Sequence, residues 1–308
     1  MTARRLGRTD LSIEPLVFGC NVLGWTLEEN DAFRVLDAYV DAGFAAVDTS
    51  DSYGKGKSET ILGNWMKARG NRDRVLVFTK VGSDMGQGHR DLSAKWITEE
   101  VENSLRRLQT DVIDLYQSHW PDPSTPQEET LGAFDRLVRA GKVRFIGSSN
   151  QDAKLLSEAL KISAEKGLAR YETVQNEFNL YDRAGFAQVQ DICVREQVSG
   201  IGYFSLARGF LAGKYRSVAD ADKSPRGKAA VEKYLNPKGE RILQALDAVS
   251  KHRHTTPAAV SIAWIAAQPG VGGAIASATS VEQLKALTDG ARLVLSADEL
   301  AQLTEAGL

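Results

Sequence analysis

Four side chains of complementary acid–base character stand where apolar runs of this sequence end. Asp48 ends the run 44–48 (FAAVD), Lys80 ends 75–80 (VLVFTK), and His119 follows 112–118 (VIDLYQS). Tyr53 comes shortly after Asp48, in the segment Asp48–Thr49–Ser50–Asp51–Ser52–Tyr53–Gly54. A phenol with a pKa of ~10 is a poor acid or base at neutral pH. Proton transfer works best when the catalyst's pKa lies near the working pH. A neighbouring ammonium stabilises the phenolate and lowers that pKa. Lys80 serves this purpose if Asp48 holds its charge, because a buried lysine without a partner tends to lose its proton. His119 can then hydrogen-bond a substrate oxygen, and Tyr53 completes its protonation. Taken singly, each residue has an ordinary explanation: a helix cap, an exposed strand-end charge, a structural histidine, a packing ring. The set of four is what carries information. None of them can store a hydride, so a redox reading requires a cofactor.

The elements that must hold these groups are written in the periodicity. Short apolar runs recur at 16–19, 44–48, 75–80, 112–118, 143–147, 172–177, 199–204 and 273–276. Amphipathic stretches with helical spacing lie between most of them, as at 30–42, 94–108, 128–140, 152–166 and 184–196. Alternating strands and helices imply parallel strands, which need crossover connections. Eight such units predict an α/β fold of the (β/α)8 TIM-barrel type, with residues 1–308 as one domain. Residues 4–15 read as a β-hairpin that plugs the barrel bottom. Catalysis in such barrels sits at the carboxyl ends of the strands, where the four residues lie. Residues 207–237 form a long, charged, glycine-bearing connection. Such connections are often lids or binding loops; the plainer reading is a solvated insertion with its own short helix. Ser93 is a helix cap by position, Thr256 precedes Pro257 at a helix start, and Ser280 with Gln283 reads as a capping box.

Composition narrows the partners. Lys plus Arg number 38 against 40 Asp plus Glu, a net charge of −2. This balance removes the usual electrostatic reason to expect nucleic acid or a membrane surface. Cys20 and Cys193 stand far apart and argue against a disulfide framework. The segment MTARRLGRTD has no apolar core of a secretory signal, and no apolar run is long enough to span a bilayer. The expected setting is the cytoplasm. Oligomeric state is not written in the pattern.

A dinucleotide fingerprint is missing: Gly54-x-Gly56, Gly86-x-Gly88 and Gly200-x-Gly202 each lack the third glycine of G-x-G-x-x-G. A Rossmann domain is therefore disfavoured. Barrels often hold phosphate in the loops after strands seven and eight, which are residues 203–214 and 277–280 here. No metal site is expected. Of the histidines His89, His119, His252 and His254, the last two form H-x-H in a segment read as helical, where residues two apart face away from each other.

Together these segments resemble the aldo-keto reductases along essentially the whole chain. The matching pieces are FAAVDTSDSYGKGKSETILG, VFTKVG, DVIDLYQSHWPD, VRFIGSSN, VQNEFN, YFSLARGFLAGKY and GGAIASATSVEQL. The resemblance implies a nicotinamide-dependent reductase or alcohol dehydrogenase, with Asp48, Tyr53, Lys80 and His119 as catalytic tetrad and Tyr53 as acid/base. It implies that Ser149, Asn150 and Gln175 hold the carboxamide and that Tyr203 stacks on the nicotinamide ring. Leu206, Gly209 and Lys214 would lie over the pyrophosphate, and Ser277, Thr279, Ser280 and Gln283 would face the adenosine ribose. Many relatives have serine where Phe204 stands, and basic residues at Ser277 and Gln283. Leu287 replaces an asparagine. NADP(H) is favoured on family grounds, with NAD(H) open. Trp25 and Trp120 are candidate substrate walls for a small carbonyl or alcohol, and Met85 lies in a rim loop. The alternatives are a nicotinamide-binding, redox-sensing regulatory subunit with little turnover, and a metal-dependent barrel hydrolase or isomerase.

Overall fold

In a computed structural model, which describes residues 3–308, eight parallel strands close into a barrel. A two-stranded antiparallel hairpin precedes it, β1 (Arg4–Arg5) and β2 (Ser12–Ile13). The barrel strands are β3 (Leu16–Gly19), β4 (Ala46–Asp48), β5 (Leu76–Val81), β6 (Ile113–Ser118), β7 (Val143–Ser149), β8 (Tyr171–Glu177), β9 (Ser199–Tyr203) and β10 (Val271–Ala276). They neighbour one another in chain order, and β10 pairs with β3 to close the ring. The fold is a (β/α)8 TIM barrel.

Successive strand residues point to opposite faces, and this alternation sorts the barrel. Ala46, Leu76, Phe78, Leu115, Ile201 and Ile275 form an inner cluster. Val47, Val77 and Tyr116 face outward into the larger core under the helices. The hairpin contributes Leu6, Leu11 and Ile13 to the inner cluster and so stoppers one end with apolar side chains. Gly272 makes room for it, since a Cβ there would lie 2.8 Å from Leu6.

The covering helices are α1 (Glu29–Asp41), α2 (Lys57–Arg69), α3 (Ala94–Leu108), α4 (Gln127–Arg139), α5 (Ala153–Lys166), α6 (Ala184–Glu196), α7 (Gly227–Tyr234), α8 (Pro237–His252), α9 (Pro257–Ala266), α10 (Val281–Arg292) and α11 (Ala297–Ala306). The inward face of α2 buries Ser58, Glu59 and Gly63 as well as Ile61 and Leu62. Its hydrophobic contrast is correspondingly weak, and no helical pattern is read there. Ser93 and Thr256 cap as expected, accepting from Trp96 N–H and Ala259 N–H. The capping box at Ser280 forms only by half. Ser280 accepts from Gln283 N–H, but the Gln283 side chain reaches past it to the N–H and hydroxyl of Thr279. The H-x-H segment is not wholly helical. His252 ends α8, and His254 has φ +51°. Cys20 and Cys193 are buried and unbonded. Among the described residues, no helix is long and apolar enough to cross a membrane.

The 207–237 connection carries its own structure: two 3-10 turns at 207–212 and 218–223, then α7. It is also part of the rim, because Lys214, Lys223 and Arg226 all line the cavity described next. The short helix of the plainer reading is present, and the segment also borders the cavity.

Candidate active site

Inward-pointing residues change character along the barrel axis. After Ala46 comes Asp48, after Phe78 comes Lys80, and after Leu115 comes Gln117. The apolar plug thus gives way to a buried polar layer. Lys80 is fully buried. Its Nζ lies 2.6 Å from Asp48 Oδ2, donates to the Thr49 carbonyl at 2.9 Å, and sits 3.4 Å from the Tyr53 hydroxyl. The other oxygen of Asp48 accepts from the side-chain amides of Gln175 at 2.9 Å and Gln117 at 3.3 Å. An ion pair removed from water persists only when its remaining lone pairs and protons are satisfied, and here four donors and acceptors do so.

Lys80 is held above its ordinary pKa. Burial works against its charge, and Asp48 and Tyr53 more than offset that. Tyr53 departs from the sequence expectation. Lys80 does pull its pKa down, but burial pushes harder, and the phenol sits above its ordinary value. In the free protein Tyr53 is therefore a neutral proton donor rather than a partial phenolate. His119 is held well below its ordinary range by burial and then by Lys80 and Arg90, so its imidazole is neutral. Its main chain is fixed on both sides: its N–H donates to Val81 and its carbonyl accepts from Asn150. Its ring meets Tyr53 edge-on, centroids 5.8 Å apart, and stacks on Trp120 at 5.7 Å.

Above this layer opens a cavity of about 1140 Å³. Asp48, Tyr53 and His119 line it, while Lys80 lies behind them. So do Ser149, Asn150, Gln175, Tyr203, Leu206, Gly209, Lys214, Ser277, Thr279, Ser280 and Gln283, residues that five different strand ends and loops deliver to one space. Trp25 and Trp120 stand at its walls. Met85 is in the rim loop but outside the lining. Asn150 takes φ +58° at the end of β7 and accepts the Tyr203 hydroxyl at 2.8 Å, which fixes that ring over the cavity. Ser149 donates to the Gln175 carbonyl, and Ser277 to Asn21 Oδ1.

The strongest departure from the sequence reading is a set of cations. Arg208, Lys223 and Arg226 join Lys214 on the lining. Only Lys223 has a carboxylate partner, Asp220, among the described residues. Burial, then mutual repulsion, holds Lys214 and Arg226 below their ordinary values. Phe204 finds a use here: its ring lies under the Arg208 guanidinium at 4.7 Å. Arg226 rests on Trp25 at 4.8 Å. The loop bends sharply, with φ above zero at Phe204, Ala207, Arg208 and Gly209, a strain typical of ligand clamps. No periodicity or motif announces Arg226, because its position depends on how α7 folds back over the rim. Gln117 had a signal that went unused, the inward period of Leu115.

A profile of the "Aldo/keto reductase family" matches residues 15–307. The chain belongs to the aldo/keto reductase family. It is similar to Aldo-keto reductase YhdN of Bacillus subtilis, 34% identical over 91% of this chain and 86% of that one. Protein tas of Escherichia coli is 30% identical, with 98% and 96% covered. A probable voltage-gated potassium channel subunit beta from rice is 31% identical, with 93% and 91% covered. As a member of this family, the chain is an oxidoreductase of small carbonyl compounds. Among the described residues, no group of three or more His, Cys, Asp or Glu comes together as metal ligands.

Proposed function

We propose that this aldo/keto reductase works as one barrel domain that transfers hydride between a nicotinamide cofactor and an aldehyde or ketone, or the corresponding alcohol, with Tyr53 as general acid/base. The observation that carries the reading is the Lys80 ammonium, buried between Asp48 at 2.6 Å and the Tyr53 hydroxyl at 3.4 Å beneath the cavity. A pinned cation beside a phenol stabilises the phenolate left when the proton is given up. When bound, a dihydronicotinamide would supply the hydride, which no side chain can. Tyr53 hands its proton to the carbonyl oxygen as negative charge develops there, and His119 hydrogen-bonds the same oxygen. In alcohol oxidation the proton returns the other way.

The residues present fit a dinucleotide. The cavity is long enough to bring together the 149–150, 203–214 and 277–287 segments, and it carries cations without carboxylate partners. Closely spaced cations repel one another unless an anion enters. Lys214, Arg208 and Arg226 supply charge for the pyrophosphate. Their surplus over its two charges favours NADP(H), whose 2′-phosphate adds more, and NAD(H) is the weaker ligand. Ser149, Asn150 and Gln175 would hold the carboxamide, Tyr203 the ring, and Thr279, Ser280 and Gln283 the ribose. Trp25 and Trp120 would bound the substrate.

Purified protein is expected to oxidise NADPH in the presence of 4-nitrobenzaldehyde, and NADH more slowly. Fluorescence quenching by the two cofactors side by side tests the preference. Turnover undiminished in Tyr53→Phe would sink the assignment of the proton. The rice relative favours a second reading, a redox-sensing regulatory subunit; negligible turnover with tight cofactor binding and a stable membrane-protein complex would select it.

A further inference from the structure

Behind the barrel wall lies a second group of ionisable residues that the proposed chemistry leaves unused. Asp51, Glu59 and Glu100 are all buried there with one cation between them, Arg107. Arg107 Nε donates to Glu59 at 2.7 Å, and its Nη2 donates to Glu100. Glu59 also accepts from the Thr79 hydroxyl, and Glu100 from Asn103. Gly63 lets α2 approach α3 this closely, since a Cβ there would lie 2.3 Å from the Arg107 carbonyl. Asp51 has no share in the guanidinium. Its Oδ1 accepts from Ser50 at 2.8 Å, and its Oδ2 is buried with no partner. Three carboxylates against one cation would leave buried charge uncompensated. The guanidinium touches Glu59 and Glu100 and leaves Asp51 without a counter-ion, and burial raises Glu59 even beside Arg107. In accord with this, burial and then Glu59, with a smaller push from Glu100, raise Asp51 to about 7.

Ser50 joins this carboxyl to the site. Its Oγ lies 3.0 Å from His119 Nδ1, and Ser83 Oγ lies 2.9 Å from the same nitrogen. Ser50 Oγ also meets Ser52 Oγ at 3.0 Å and accepts Ser52 N–H at 3.2 Å. A hydroxyl has one proton to give. When Asp51 is ionised, Ser50 gives it to the carboxylate and turns lone pairs toward Nδ1. With Ser50 an acceptor and Ser83 turning its own lone pairs to the same nitrogen, the imidazole then favours Nδ1–H, and Nε2 is left bare. When Asp51 is neutral it donates to Ser50, Ser50 donates to Nδ1, and Nε2 carries the hydrogen. One proton passes to solvent between the two states, and the ring stays neutral throughout.

We propose that Asp51 is a positioning residue that sets the tautomer of His119 through Ser50, so that a donor faces the carbonyl oxygen while Asp51 holds its proton and is withdrawn when Asp51 ionises. The groups bearing on Asp51 are Glu59 from α2, Glu100 and Arg107 from α3, Tyr116 from β6, and Lys80 from β5. The Lys80 carbonyl accepts the Asp51 N–H, while its ammonium is engaged by Asp48. Tyr116 is buried and held well above its ordinary value, so it adds no charge. The proposal rests on the oxidoreductase reading for its consequence, but not for its test.

That test is the ring-nitrogen NMR of His119 in ¹⁵N-labelled protein, assigned by its loss in His119→Asn. In the unaltered chain the signal is expected to pass from Nε2–H at pH 5.5 to Nδ1–H at pH 8.5. Asp51→Asn should keep Nε2–H throughout, and Ser50→Ala should uncouple the ring from pH. In turnover, KM for 4-nitrobenzaldehyde should rise with pH on the order of fivefold, the worth of one neutral hydrogen bond. kcat should change less, and Asp51→Asn should be flat. A single His119 tautomer across the range in the unaltered chain overturns the proposal, and so does an unchanged transition in Asp51→Asn. The spectrum needs no turnover. A tautomer switch in a protein without reductase activity would support the relay and overturn the functional reading instead.

Discussion

Asp48 ends β4, Asp51 lies three residues on in the following loop, and the two are equally hidden from water, but the barrel wall runs between them. Asp48 faces inward and meets an ammonium and two side-chain amides. Asp51 faces outward into a group of acids whose one guanidinium is already shared. Burial alone does not decide what a carboxyl becomes; the partner waiting for it does. On one side of the wall the result is an ion pair that holds the Lys80 ammonium in place. On the other it is an acid that changes state near neutrality.

The largest effect belongs to the inner side. Tyr53→Phe keeps the ring and removes only the proton, so cofactor affinity should stay and kcat should fall by roughly 10²–10⁴, the usual worth of a positioned acid or base. A stopped-flow measurement of NADPH oxidation reads it. Loss of binding together with turnover would mean that the hydroxyl holds structure rather than moving a proton. Lys80→Met comes next. It leaves the buried Asp48 without its cation, with only the Gln175 and Gln117 amides as partners, which costs about 3–5 kcal/mol of stability. Urea unfolding at pH 7 should show this, and adding Asp48→Asn should restore much of it. If the single and double variants unfold alike, Asp48 does not depend on Lys80, and the contrast with Asp51 fails.

Asp51→Asn should behave in the opposite sense. The folded pKa of Asp51 is raised to about 7, against an unfolded value of ~3.9. Between those values the native state holds a proton that the unfolded state has lost. Its stabilisation is full below pH ~4 and disappears as pH rises toward 7, a total of a few kcal/mol. Asparagine carries no such proton. The urea midpoint of Asp51→Asn, compared with the unaltered chain, should therefore improve from pH 5 to about pH 7 and level off above it. His119 stays neutral in the folded chain while its unfolded imidazole charges below ~6.5, so it adds a rise in stability with pH that is common to both chains and cancels in the comparison.

Much of this was legible before any coordinates. Hydrophobic period and length give the eight strands, and reading the strand ends gives Asp48, Lys80 and His119, because a barrel delivers those positions to one rim. The hairpin stopper follows from its position ahead of β3. The cofactor segments were reached through the family resemblance, and all fall on one cavity. The missing pieces share a cause. Arg226 depends on the path of a long connection, and Arg107 on how closely α3 packs against α2. Asp51 is only three residues from Asp48 in sequence but opposite in facing. The sign of the Tyr53 shift needed the depth of its burial. These are tertiary facts with no local period to betray them.

The smallest effect lies at the far end of the cavity, where the same comparison recurs between half-buried cations and an exposed carboxylate. Among the described residues Arg208, Lys214 and Arg226 lack carboxylate partners, while Glu282, in the first turn of α10, lines the cavity at its 277–287 end. With the adenosine placed along 277–287, a 2′-phosphate approaches Glu282 and is repelled by it, whereas a 2′-hydroxyl is not. Glu282→Gln should tighten NADPH by about two- to threefold at low salt, a fraction of a kcal/mol, and leave NADH unchanged. The gain should shrink at 0.5 M salt, where exposed charges are screened over a few ångströms. The substitution also removes an acid from a helix N-terminus, which costs a few tenths of a kcal/mol in stability, so affinity must be read by titration well below the melting range. Equal gains for both cofactors would place the phosphate elsewhere, beside Arg226 or Arg208, and would turn the rim cations from pyrophosphate ligands into the seat of cofactor choice.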